Sequence, residues 1–357
     1  MPQDRNWRTA GIGLAVIVCC IAGLVTPSNA LAQRKTLEEI VAYQGADREQ
    51  RLLEAAKREG EFTLYSALTT EDNAAIVSGF EHKYGIKVRL WRASSEALLR
   101  RMVSEAGARR FEVDAIISSG SGLEPLHRER LLQPIPMPAL SGIIPQAILP
   151  HREWTVMFIN TIVQAYNTRL VKKESLPQSY RALLAPEWKG KLGIEAEDFD
   201  WFATVVNELG EAEGLKLFRD IAAANGISVR TGHGLLTNLV VAGEVPLALT
   251  VYGYLPPRLK AKGAPIDWFV IPPAIARPTG IAIAQAAPHP NAAVLFFNYV
   301  LGDAQPILAS RHFVTVSKTI ETPFTNMPLK VIDSKLMLDE AGRWQDLYKR
   351  TLLDQPR

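Results

Sequence analysis

Pro246-Leu247-Ala248-Leu249-Thr250-Val251-Tyr252-Gly253-Tyr254 is an apolar run that ends in two tyrosines separated by one glycine. It is short, holds Leu and Val, and follows Gly243-Glu244 after an apolar helical pattern. A parallel strand fed by a helix is therefore expected, in an α/β architecture. In open α/β sheets, ligands sit beyond the carboxyl ends of the strands. Tyr252 and Tyr254 stand at such an end, and they share a face if the strand persists through Gly253. The plainer reading is that each phenol packs at a strand end and bonds to water.

Working outward, the first third of the chain repeats one arrangement three times. Phe62 to Ser66, Ile86 to Trp91 and Val113 to Ile117 read as strands, each followed by a turn and a helical pattern. Thr69 and Asp72 have capping-box spacing, with Asp in place of the usual Glu, and Gly85 is placed to end the helix they start. The turns carry Ser66, then Ser94-Ser95, then Ser118-Ser119-Gly120-Ser121-Gly122. A helix start offers free N–H groups and the positive end of a dipole to a polar or anionic ligand. Taken singly, each turn reads as a plain N-cap; lying along one sheet edge, they would form a site.

Further on, Pro177 and Pro186-Glu187-Trp188-Lys189-Gly190-Lys191 mark a change of character read as a first crossing between lobes. Leu192 to Ile194 is a strand that presents Glu195, Asp198 and Asp200, and a short strand reaches Arg230-Thr231-Gly232-His233 at the next helix start. Asp267 to Ile271 and Ala276-Arg277-Pro278-Thr279-Gly280 read as the return crossing, followed by helical patterns to the end.

The amino-terminal segment has Arg5 and Arg8, an apolar run from Gly11 to Val25, and Ser28-Asn29-Ala30-Leu31-Ala32. That order is expected of a secretory signal peptide over residues 1–32, and the run is shorter than the ~20 apolar residues a membrane span needs. Both cysteines, Cys19 and Cys20, fall inside it, so neither a disulfide nor thiolate chemistry is expected of the mature chain. With 40 basic and 37 acidic side chains in 357 residues, the near balance gives no reason to invoke nucleic acid or an anionic membrane. That length exceeds what one hydrophobic core usually serves, so two domains are expected.

Leu64-Tyr65-Ser66, Ala165-Tyr166-Asn167-Thr168, Leu184-Ala185-Pro186-Glu187-Trp188-Lys189-Gly190-Lys191, Ala242-Gly243-Glu244 and Lys262-Gly263-Ala264-Pro265 occur in an order that spans most of the mature chain. On these the sequence resembles the periplasmic solute-binding proteins of bacterial ABC importers, in the type II, ferric-iron-binding-like branch. The resemblance implies a two-lobe periplasmic-binding-protein type II fold with a hinge of two crossing strands, a ligand in the cleft, and closure that presents the loaded form to a membrane permease. A periplasmic monomer that binds no nucleic acid and is not an enzyme is expected. The division expected is a first lobe over 33–165 and a second over 166–272. The return crossing and C-terminal segment, over 273–357, would pack mainly on the first lobe.

Family members that hold ferric iron commonly use adjacent tyrosines on the second lobe, with a histidine or carboxylate from the first. Ferric iron is a hard cation that suits anionic oxygen and holds a phenol deprotonated far below its free pKa of ~10. Here the resemblance points to Tyr252 and Tyr254, with Glu96 as the first-lobe carboxylate, for a bound Fe3+ carried as cargo. The tyrosines are split by Gly253, and the turn Ser66-Ala67-Leu68 carries no histidine. The competing ligand is a small organic or phosphorus-bearing anion, held by Arg92, Arg230 or Arg277 and by the donors of Gly232 and His233. Glu195 and Asp198 as paired carboxylates would suggest a hydrolase, a class for which no nucleophile elbow, Walker loop or metal-binding histidine pair is present in the sequence.

Overall fold

The computed structural model describes residues 39–353 apart from 44, 136–137 and 324–327. The expected signal peptide lies outside these residues. Helix α1 (Arg48–Glu59) ends at Gly60, whose left-handed φ of 76° lets the chain turn directly into strand β1 (Glu61–Ser66). Helix α2 (Thr70–Tyr84) begins as its capping spacing requires: Thr69 Oγ1 accepts from the Asp72 N–H (3.1 Å) and donates to the Asp72 carboxylate (2.7 Å). Strand β2 (Lys87–Arg92), helix α3 (Ser95–Gly107), strand β3 (Ala115–Ser119) and helix α4 (Gly120–Arg128) follow. The three strands are parallel in the order β2-β1-β3, so their carboxyl ends share one edge.

Strand β4 (Trp154–Asn167) is long, roughly 45 Å at the usual rise, and buried along almost its whole length. The second lobe begins with β5 (Leu192–Glu195), α5 (Phe199–Leu209), α6 (Glu211–Asn225), β6 (Ile227–Arg230), α7 (His233–Ala242), β7 (Leu247–Tyr252), α8 (Leu255–Lys260) and β8 (Ile266–Phe269). Strand β9 (Ala274–Ile283) then runs antiparallel to β4 from Ile162↔Ile275 to Trp154↔Ala282 and passes on to pair with β3. The chain closes with α9 (Pro290–Leu301), α10 (Gln305–Ser310), β10 (Val314–Thr315), β11 (Leu329–Val331) and α11 (Ser334–Tyr348). One sheet path, β2-β1-β3-β9-β4-β7-β5-β6, carries both lobes, and β4 with β9 are the crossing strands. Strand β7 is parallel to β5, as its run and the helix before it suggested.

The first crossing therefore lies earlier than Pro177 to Lys191. That segment makes 3-10 turns, because Pro186 interrupts the backbone donors and Gly190 adopts a φ of 71°. Trp188 there is buried in the second-lobe core. The C-terminal segment is also divided, against the expectation of packing mainly on the first lobe. Helices α9 and α10 do pack there, where Phe62, Phe80, Phe296 and Tyr299 meet at ring distances of 4.9 to 6.3 Å. Helix α11 instead lies between α5 and α4, and sends Trp344 and Tyr348 into a core with Trp201, Phe202 and Phe218.

A buried carboxylate ties the first lobe together. Asp114, fully enclosed just before β3, accepts from the Thr63 N–H (2.7 Å), the His289 N–H (2.5 Å) and His289 Nδ1 (2.9 Å), joining β1 to the start of α9. The bond to Asp114 raises the His289 pKa above its ordinary value, against the opposing effect of burial. A raised folded-state pKa stabilises fully below the unfolded value of ~6.5 and ceases to do so as pH climbs through the folded value. Urea unfolding between about pH 6 and pH 9 should show a decline in wild-type stability over that window that His289→Gln lacks.

Candidate functional site

Strand β7 delivers Tyr252 at its carboxyl end and stops there. The Gly253 N–H donates to the Thr161 carbonyl (2.8 Å), and a Cβ at this position would lie 2.2 Å from Thr161 Oγ1. Glycine is required by that close approach of β7 to β4, and the strand does not persist through it. Tyr254 becomes the residue before α8. The two phenols thus do not share a strand face; their rings stack at 5.6 Å with planes 15° apart. Tyr254 also packs on Phe313 at 5.0 Å and lies under the Arg258 guanidinium at 4.4 Å.

Arg277 stands on the crossing strand β9, opposite Asn160 of β4. Its Nη1 donates to Tyr252 Oη (2.8 Å), its Nε to Asp200 Oδ2 (2.8 Å), and its Nη2 to Asp200 Oδ1 (2.5 Å) and Asp198 Oδ1 (2.9 Å). The two aspartates flank the first residue of α5, where negative charge also meets the positive helix end. His233, at the first turn of α7, places Nε2 3.3 Å from Asp198 Oδ1 and its ring 3.8 Å from that of Tyr252. Burial pushes the Asp198 carboxyl up, but His233 and Arg277 together bring it down to about 2. Burial also works against the Arg277 charge, yet Asp200, Tyr252 and Asp198 hold it firmly protonated. The Tyr252 phenol is raised by burial, with Arg277 pulling the other way, and burial likewise raises Tyr254.

Two buried atoms here have no hydrogen-bond partner: Asp198 Oδ2 and His233 Nδ1. Glu195 is engaged differently. Its Oε1 accepts from the Gly232 N–H (2.8 Å) and its Oε2 from the Glu197 N–H (2.6 Å), while Tyr348 donates to its carbonyl. It fixes the turn that presents His233, where Gly232 adopts a φ of 98°. Glu195, Asp198 and His233 nonetheless offer ligand atoms within 4.8 Å of one another, the one such group among the described residues. Phenols, carboxylates and an imidazole are a donor set for a cation.

Of the residues singled out from sequence, Tyr252, Tyr254, His233 and Arg277 come together, with Gly232 beside them. The serines gather separately, along the first-lobe edge. Ser95 Oγ accepts from the Ser119 N–H (3.3 Å) and hydroxyl (3.1 Å), and Ser119 also bonds Ser121 (2.9 Å). Ser119 pairs in register with Thr279, two residues beyond Arg277, so this edge adjoins the same strand. Ser66 is buried and accepts from the Leu68 N–H, and Ser94 caps α3. Glu96 is exposed in the first turn of α3, Arg92 donates to the Leu68 carbonyl, and Arg230 folds back on the Val229 carbonyl. Arg92 and Arg230 are used locally, Glu96 faces solvent, and all three lie outside the tyrosine cluster. Asp200, which holds Arg277 bidentately, was not expected as a site residue; its signal was an acidic pair at a helix start.

Arg277→Met leaves a buried aspartate without its cation and should lower stability by about 3–5 kcal/mol in urea unfolding, with Arg277→Lys intermediate. Gly253→Ala forces a contact with Thr161 and should cost about 1–3 kcal/mol. Adding Thr161→Ala, which removes the clashing hydroxyl, should recover most of that loss in the same assay.

Residues 115–327, more than half of the chain, match the model of the family described as bacterial extracellular solute-binding protein. The Fe(3+)-binding periplasmic protein of Serratia marcescens is 26% identical over 205 residues, which cover 57% of this chain and 60% of that relative's length. Iron-bound HitA from Pseudomonas aeruginosa superimposes with a TM-score of 0.69 at 21% identity, over 82% of this chain and 99% of its own. AfuA from Actinobacillus pleuropneumoniae, solved with fructose-6-phosphate, gives 0.69 at 19%, over 83% and 100%. Two solved proteins that carry such different ligands share this fold, so the likeness bears on architecture and the side chains must argue the ligand. With two lobes joined by β4 and β9, and the family model matching across both, the chain belongs to the bacterial extracellular solute-binding protein family.

Proposed function

We propose that this chain is the periplasmic binding component of an ABC uptake system and that its cargo is ferric iron, held by Tyr252 and Tyr254. The observation that carries this reading is the convergence of two phenols, one of which accepts a hydrogen bond from a protonated arginine. A donor aimed at the oxygen favours phenolate, and a hard trivalent cation completes the deprotonation that burial opposes. Asp198 Oδ2 and His233 Nδ1, both buried without partners, are further donors within the cluster. The iron-binding relatives named above support the same cargo.

The anion reading is less well supported because Arg277 is already neutralised by Asp198 and Asp200. The hydrolase reading is likewise disfavoured, since both Glu195 oxygens accept backbone hydrogen bonds and Asp198 is paired with Arg277. Closure about β4 and β9 would enclose the cargo and present the loaded form to a permease. Among the described residues no helix is long and apolar enough to cross a membrane, and a secreted periplasmic protein suits the apolar segment within residues 1–32.

Titration of the purified mature protein with a chelated ferric salt should develop a visible tyrosinate-to-iron charge-transfer band. Tyr252→Phe should abolish or strongly weaken it. Absence of the band in folded wild-type protein would overturn the iron assignment.

A further inference from the structure

The capping turn of α2 does more than start a helix. Asp72 is 1% exposed, and besides the Thr69 hydroxyl its carboxylate accepts from Arg311 Nε and from Arg258 Nη2 (3.2 Å). Asp72 and Arg311 belong to the first lobe, the latter following α10, whereas Arg258 belongs to α8 of the second. Arg258 also donates to the Arg311 carbonyl from Nε (3.2 Å) and Nη2 (2.6 Å). The same guanidinium lies 4.4 Å over the Tyr254 ring and 5.3 Å from that of Phe313. Tyr254 is thus held between Tyr252 and Phe313 beneath a cation whose hydrogen bonds reach into the opposite lobe.

We infer that Arg258 is a positioning residue: its bridge to Asp72 and the Arg311 carbonyl links the two lobes and, while they are together, fixes the guanidinium over the Tyr254 ring. Separation of the lobes breaks three hydrogen bonds and leaves the guanidinium, which stays on the same lobe as Tyr254, without the contacts that fix it over the ring. It does not strand the carboxylate, because Arg311 remains on Asp72 within the first lobe. The bridge is therefore reversible, as a capture and release cycle requires. A planar fork that bonds in its plane and stacks with its face suits both tasks, and an ammonium does not. The role given to Tyr254 rests on the iron reading, whereas the bridge between lobes does not depend on the cargo.

Both cysteines of the chain precede residue 33, so introduced cysteines label the mature protein cleanly. R100C and N238C, at exposed positions in the first and second lobes, carry a spin-label pair whose distance distribution reports closure. In metal-free protein, Arg258→Met and Asp72→Asn should each shift the distribution to longer distances, and combining them should add nothing further. Arg258→Lys, which keeps the charge without the fork, should be intermediate. With ferric iron bound, Arg258→Met should release it about tenfold faster and alter the charge-transfer band. Unchanged distances in both single variants, or additive shifts in the pair, would overturn the bridge even in a protein that binds iron. Shifted distances sustain it even in one that does not, and circular dichroism on each variant separates opening from unfolding.

Discussion

A guanidinium placed in the seam between two lobes is the constraint on which the remaining arrangement rests. Arg277 projects from β9 where that strand crosses, and a buried charge is tolerated only when paired and fully hydrogen-bonded. Asp198 and Asp200 at the start of α5 supply the charge, and Tyr252 at the end of β7 accepts from Nη1. His233 follows because it reaches Asp198, and Glu195 follows because it holds the turn before His233. Elements far apart in the chain are in this way pinned to one strand of the hinge.

The electrostatic consequence is a site that is polar without being simply cationic. Arg277 is spent on two carboxylates, yet it still donates to a phenol oxygen, so it conditions Tyr252 rather than offering itself to an anion. The donors for a cation lie on the second lobe, and the first lobe contributes a line of hydroxyls at the ends of β1, β2 and β3. Such a division suits capture on one lobe and enclosure by the other. Asp72 and Arg258 then connect enclosure to the cation fixed over the second tyrosine.

Much of the first lobe was legible because periodicity and punctuation agreed there. Gly60 and Gly85 stop helices with a left-handed residue, Thr69 and Asp72 start one, and the strands between are short. The end of β7 was also legible, and with it Tyr252. The crossing was not. Strand β4 is enclosed on both faces, so it reads as one apolar run, and nothing in such a run marks where one lobe gives way to the next. Proline and glycine at 186–190 looked like a boundary and proved to be turns that anchor Trp188. The pattern of α11 told that one face is covered but not by what, and its cover comes from both lobes.

By itself the sequence determined much of the local alphabet of this protein: many of its strands and helices, several of their capped ends, and which strand ends carry phenols and hydroxyls. Those follow from short-range sterics, capping and hydrophobic period, all of which act within a few residues. Only the tertiary structure decided which polar groups meet. Arg92 and Arg230 had the same standing as Arg277 in the sequence, but one bonds the Leu68 carbonyl and the other the Val229 carbonyl, while Arg277 finds two aspartates 77 and 79 residues away. The reason is physical: the energy of a charge depends on its burial and on its partners within a few ångströms, and both are set by packing across the sheet.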